Sequence, residues 1–260
     1  MDTEQTDAYL RRIGAARPAA PTARALGELH LAHLRSVPFE NLSVHLGEEI
    51  ELTVEALVAK VVRERRGGFC YELNGAFGAL LTALGFDVTP LQARVYDEEG
   101  RLGIPFDHLA LLVRTQDGGQ WLADIGFGAQ SHLPLAYGER GEQKDPGGTF
   151  RLVESAEGDL DVLKDGKPQY LLDPRPRTLA DFTGGAWYHR TSPASHFTRS
   201  LVCSIIDGDS RITLSGRSLT TTRDGERTVT ELASEAEVLA AYERYFGIRL
   251  EREPRVRASR

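Results

Sequence analysis

Two hydrophobic rhythms divide the chain. Through about residue 85, apolar positions recur at three- and four-residue intervals, the period of helices buried along one face. Asp7 is expected to open a short helix carrying Tyr9, Leu10 and Ile13, which Gly14 ends. Thr22 opens a second, with Leu26, Leu29 and Leu34, closed before Pro38. Thr53 begins a third, striped by Leu57, Val58, Val61 and Val62. The most regular stripe is Leu73, Phe77, Leu80, Leu81 and Leu84, which predicts a helix with Cys70 in its first turn and Gly85 as terminator.

Beyond residue 87 short apolar runs separated by glycine, aspartate and proline replace these stripes. Residues 88–95, 108–113, 121–125, 150–153 and 160–163 read as strands of an antiparallel sheet or small barrel. The stretch 139–148 reads as a surface loop. A third region carries strands at 201–206, 211–214 and 228–232. Its closing helix has a capping box, Ser234 with Glu237, the stripe Val238, Leu239, Tyr242 and Phe246, and Gly247 at its end. The charged tail 252–260 is expected to be mobile.

Composition narrows the classes of function. A net charge of -7 argues against nonspecific nucleic-acid binding. No run approaches the ~20 apolar residues of a membrane span. The N-terminal residues 1–5 are acidic and polar, with no apolar signal core after them, so a cytoplasmic protein is expected. Only two cysteines occur, Cys70 and Cys203, which excludes a disulfide framework and any four-cysteine zinc site.

Each cysteine is therefore packing or chemistry. Cys203 lies inside the apolar run Leu201–Ile206 and reads as packing. Cys70 follows Arg66-Gly67-Gly68-Phe69 at a loop-to-helix junction, where glycines permit close approach and unpaired N–H groups favour thiolate. An imidazole usually activates such a nucleophile, and a third group holds the imidazole. His108 opens one apolar run and Asp124 sits inside the next, where a carboxylate is costly unless paired. If residues 115–119 form a five-residue hairpin loop, Arg114 pairs with Gln120 and even-numbered residues share a face. His108 and Asp124 then lie diagonally, about 7–8 Å apart at the backbone. A four-residue loop without a bulge would separate them.

Other signals are weaker. His30 and His33 stand three apart on a helix, but no third zinc-ligand pattern accompanies them, so packing is favoured. Gly126-Phe127-Gly128 begins a dinucleotide fingerprint that Ser131 breaks. The run Arg63–Arg66 reads as a solvated helix end from which one arginine can pair with Glu40.

With these residues in view, the chain resembles the arylamine N-acetyltransferases. The resemblance rests on Val37–Leu42, Arg66–Asn74, His108-Leu109, Asp124–Gly128, and the later segments Ser192-Pro193-x-Ser195-x-Phe197 and Leu214–Gly216, in order along nearly the whole chain. It implies an α+β fold in a cysteine-protease-like arrangement. Its parts would be a helical bundle over 1–86 with Cys70, a β-barrel over 87–185 with His108 and Asp124, and an α/β lid over 186–260. It implies a Cys70–His108–Asp124 triad that takes acetyl from acetyl-CoA and passes it to an arylamine or hydrazine by a ping-pong route, with no metal. Phe39, Phe127 and Phe197 correspond to acceptor-pocket aromatics, and Gly126 to a backbone point near CoA. Arg66 with Glu40 resembles the family's structural ion pair. Asp107 stands where some relatives carry a CoA-contacting threonine, and that contact is not expected here. The alternative reading within the superfamily is an amide synthase closing a polyketide macrolactam with the same triad.

Overall fold

A computed structural model of the protein describes residues 1–128, 131–223 and 225–256. The first region folds as α1 (Thr3–Ile13), α2 (Ala23–Ser36), β1 (Phe39–Glu40), α3 (Leu42–Leu46), α4 (Val54–Val62) and α5 (Cys70–Ala83). Thr22 and Thr53 cap α2 and α4 as their sequences predict. Helix α1 starts earlier than expected: Asp2 caps it, accepting from the Gln5 N–H, while Asp7 pairs with Arg17 instead. Glutamine three residues after an aspartate completes a capping box, a stronger start signal than Asp7 inside the helix.

The second region forms β2 (Asp87–Val95), β3 (His108–Arg114), β4 (Gln120–Ala123), β5 (Leu135–Ala136), β6 (Gln143–Asp145), β7 (Gly148–Glu154), β8 (Leu160–Lys164) and β9 (Lys167–Leu172). They build one antiparallel sheet in the order β5-β4-β3-β2-β9-β8-β7-β6. It curls into a barrel around Leu91, Ala110, Leu112, Phe150, Leu152 and Leu172. The two end strands meet through side chains: Gln143 exchanges hydrogen bonds with the Ala136 backbone at 2.7 and 3.1 Å, and Asp145 accepts from the His132 and Leu133 N–H groups. The expected loop at 139–148 thus contains β6. Gln143-Lys144-Asp145 carries no apolar alternation because its pairing with β7 and its polar clasp, not burial, fix it.

A 3-10 turn (Leu179–Phe182) leads into α6 (Thr183–Thr191) and α7 (His196–Arg199). Helix α6 runs across residue 186, where the third part was expected to begin. Strands β10 (Cys203–Asp207), β11 (Ser210–Ser215), β12 (Ser218–Arg223) and β13 (Glu226–Glu231) follow, with α8 (Glu235–Phe246) packed against them. Strand β1 joins their sheet through β10, so the helical region and the last region share backbone hydrogen bonds. Part of the charged tail, residues 257–260, lies outside the described residues. Among the described residues no helix is long and apolar enough to cross a membrane.

Strand β3 positions the site. Leu109, Leu111 and Val113 pack against the helices, including α5, while Ala110 and Leu112 fill the barrel. His108 therefore begins a strand buried on both faces, and its even number turns it toward the barrel side.

Candidate active site

Cys70 is the first residue of α5, with Phe69 extended before it. The two glycines upstream admit the protein's own atoms. A Cβ at Gly67 would lie 1.8 Å from the Pro38 carbonyl oxygen, and one at Gly68 would lie 2.7 Å from the Glu72 Cβ. The Glu72 carboxylate accepts from the Phe69 N–H at 3.2 Å, capping the helix that carries the thiol. The close approach read from Gly-Gly is therefore structural: it seats the Cys70 loop against the segment that precedes β1.

The hairpin register is the one a five-residue loop requires. Arg114 pairs with Gln120, Val113 with Trp121, Leu112 with Leu122 and Leu111 with Ala123. Asp124 leaves the strand one residue later, and its Oδ2 accepts from His108 Nε2 at 2.7 Å. Cys70 is close enough to the same imidazole to help raise its pKa, and because Nε2 is committed to Asp124, Nδ1 is the ring nitrogen left to face the thiol. Sulfur, imidazole and carboxylate thus lie together, all buried. Burial alone would disfavour a charged imidazole, but the Asp124 charge and hydrogen bond, helped by Cys70, lift His108 to about 10. Burial likewise opposes the Asp124 charge, and His108, Asn74 and the Gly126 N–H override it and hold the carboxyl below its usual range. The imidazole beside the Cys70 sulfur is thereby held protonated at neutral pH.

Asn74 and Tyr170, which complete this geometry, were given no role from sequence. Asp124 Oδ1 accepts from Asn74 Nδ2 at 2.8 Å and from the Gly126 N–H at 3.0 Å, and Oδ2 also accepts from the Tyr170 hydroxyl at 3.1 Å. With His108 these make four donors on one buried carboxylate. Asn74 lies one helical turn after Cys70, and its Oδ1 accepts from the Ile125 N–H while its Nδ2 also reaches the Leu109 carbonyl. Its place four residues after the cysteine was the available signal. Tyr170, distant in sequence, carried none. Gly126 has a steric duty as well: a Cβ there would sit 2.7 Å from the Cys70 Cα and 2.8 Å from Asn74 Nδ2.

His30 also serves this site rather than a metal. It is buried, and burial drives it down to about 4, so the ring is neutral near pH 7. Its Nδ1 donates to the His132 carbonyl at 2.9 Å and its Nε2 accepts from the Asp124 N–H at 3.3 Å. His33 Nε2 shares a hydrogen bond with the Tyr9 hydroxyl at 2.9 Å. Among the described residues no group of three or more His, Cys, Asp or Glu side chains is placed to hold a metal. Cys203 is buried in the α8-facing core, and burial pushes its thiol far above the usual range.

The three aromatic candidates divide into two groups. Phe39 and Phe197 lie 6.1 Å apart, with Phe69 at 5.7 Å from Phe197, along the segment leading to the thiol. Phe127 instead packs edge-on to His108 at 5.3 Å and to Tyr170 at 5.1 Å. Arg66 Nε donates to Glu40 Oε1 at 2.9 Å, both buried, so this arginine is no solvated helix end.

A family profile described as N-acetyltransferase matches residues 22–255. An arylamine N-acetyltransferase of Mycolicibacterium smegmatis is 36% identical over 251 residues, covering 93% of this chain and 91% of that protein. The structure of the arylamine N-acetyltransferase from Salmonella typhimurium superposes with a TM-score of 0.88 at 32% identity, covering 95% of this chain and 92% of the other. That of Mycobacterium marinum arylamine N-acetyltransferase in complex with CoA gives 0.86 at 31% identity, covering 94% and 92%.

Proposed function

The chain belongs to the arylamine N-acetyltransferase family, and from that premise we propose that it moves acetyl from acetyl-CoA to an arylamine or hydrazine through an acetyl-Cys70 intermediate. The observation that carries this reading is the 2.7 Å His108–Asp124 hydrogen bond, with the Cys70 sulfur beside that imidazole at the start of α5.

The Cys70 thiolate attacks the thioester carbonyl, and the imidazolium returns its proton to the departing CoA sulfur. The S-acetyl group is then attacked by the amine nitrogen, and His108 removes the amine proton as the Cys70 sulfur leaves. Arylamines are weak bases, so their lone pair is free at neutral pH. Asp124, acceptor-only and held by four donors, keeps the imidazole oriented and charged. The Cys70 N–H at the helix start is placed to receive the developing oxyanion. Phe39 and Phe197 form one wall for the aromatic acceptor and Phe127 another, and Gly126 offers backbone to the CoA side. The CoA complex of the M. marinum relative supports this donor. A reducing, cytoplasmic setting keeps Cys70 available as a thiol. The three parts of the chain would divide the labour: the helices supply sulfur, the barrel supplies imidazole and carboxylate, and the region from α6 onward covers the acceptor. The matched relatives are named for acetyl transfer, which favours it over macrolactam closure.

Mass spectrometry after mixing with acetyl-CoA tests the intermediate. One acetyl group is expected on the Cys70 peptide, discharged on adding an arylamine. Acetylated amine formed by a Cys70→Ala protein would sink the mechanism.

A further inference from the structure

A second chain of hydrogen bonds starts one residue before His108. Asp107 Oδ1 accepts from His189 Nε2 at 2.8 Å, and His189 Nδ1 meets Ser195 Oγ at 3.0 Å. Ser195 Oγ in turn accepts from the Phe197 N–H at 3.2 Å. The order of donors follows from chemistry. A carboxylate only accepts, so the Nε2 proton lies toward Asp107, leaving Nδ1 to share a hydrogen bond with the Ser195 hydroxyl. The run from the Phe197 N–H to Asp107 is thus continuous.

Its ends are firmly seated. Asp107 Oδ2 accepts from the Val95 N–H at 3.1 Å, and a Cβ at Gly103 would lie 2.1 Å from that oxygen. On the α6 side, a Cβ at Gly185 would lie 2.5 Å from the Phe106 carbonyl oxygen. The Asp107 carbonyl accepts from the Tyr71 hydroxyl at 2.9 Å and lies 4.0 Å from the Cys70 sulfur. His189 itself packs edge-on against the Phe197 ring at 5.2 Å, and Phe197 touches Phe69, the residue before the nucleophile. One imidazole therefore holds the Phe197 segment by hydrogen bond and by ring contact, and refers it to the strand that carries His108.

We propose that Asp107, His189 and Ser195 form a positioning relay that fixes the Phe39–Phe69–Phe197 wall beside the Cys70 thiol and thereby sets affinity and selectivity for the aromatic acceptor. This inference rests on the acetyl-transfer reading for the identity of the acceptor. None of the three side chains touches a reacting atom. Their effect is to deny the aromatic wall alternative positions.

The test is a double-mutant cycle of the near-isosteric Asp107→Asn and Ser195→Ala changes, read on the KM for 4-chloroaniline and on the KM for acetyl-CoA. Each single change is expected to raise the amine KM by roughly five- to tenfold, with kcat and the acetyl-CoA KM within about twofold. Because both act through His189, the double variant should be no worse than the weaker binder of the two singles. Effects that multiply, or an unchanged amine KM in either single variant, would overturn the relay. The same cycle in a Cys70→Ala background, read as equilibrium binding of 4-chloroaniline by calorimetry, needs no turnover. An unaltered chain that fails to acetylate amines therefore counts against the proposed activity, while loss of coupling in the calorimetric cycle counts against the relay.

Discussion

Asp124 shows how a costly side chain becomes the organising one. Its carboxylate is buried with four hydrogen bonds directed at it, and its backbone N–H is held by His30. Asp124→Asn keeps the size but offers a donor where His108 needs an acceptor, and acetyl transfer is expected to fall on the order of 10²–10⁴-fold in kcat. The same pairing has a stability signature. His108 stands at about 10 in the folded protein against about 6.5 in an unfolded chain. The folded state holds the extra proton between those values, so the stabilisation is complete below about pH 6.5 and is lost as pH rises toward 10. Urea unfolding of the unaltered chain and of His108→Gln should therefore diverge most at pH 6 and converge by pH 10. A gap independent of pH would contradict the assignment. Residue types at Cys70, His108 and Asp124 were legible in sequence because each was out of place there. Tyr170 and His30 were not, since an ordinary tyrosine in a strand and an ordinary histidine on a helix give no hint of the carboxylate they face.

Where one element meets another, close approach matters more than side-chain chemistry. The turn after β4 lies against the first turn of α5 so tightly that Gly126 has no room for a Cβ. Gly126→Ala is expected to destabilise the protein by about 1–3 kcal/mol and to slow transfer at least tenfold by pushing Asp124 away from His108. Normal activity in a folded Gly126→Ala protein would show that the contact yields. Helices α1, α2, α4 and α5 and strand β3 followed from periodicity, because their burial is one-sided or continuous and marks the sequence; the short helix α3 did not. Strand β6 did not, since Gln143 and Asp145 are there to close the barrel edge rather than to be buried. Strand β12, with Thr220, Thr221 and Thr222 half-buried between two neighbours, was equally silent.

Across the molecule, three apolar cores are joined by polar seams. Glu40 is the central one: from β1 it pairs with Arg66 at 2.9 Å and accepts from the Leu42 N–H at 2.6 Å. Burial opposes its charge, and Arg66 and Lys60 overcome that and keep it ionised. Glu40→Ala leaves Arg66 buried beside an empty partner and is expected to cost about 3–5 kcal/mol. The loss should appear in one urea transition followed at Trp121 in the barrel and Trp187 on α6, whereas Arg24→Ala, at an exposed pair, should leave the midpoint unmoved. Local order in the chain sufficed for the long amphipathic helices, the hairpin register and the identity of sulfur, imidazole and carboxylate, because hydrophobic period, loop length and the cost of burying charge act over a few residues. Folding in three dimensions was needed to bring Tyr170 and His30 to Asp124, to close the barrel through Gln143 and Asp145, and to link Asp107 to Ser195 through His189. The contacts of Tyr170, His30 and His189 with Asp124 and Asp107 join segments tens of residues apart, the barrel clasp is polar, and no hydrophobic periodicity records either.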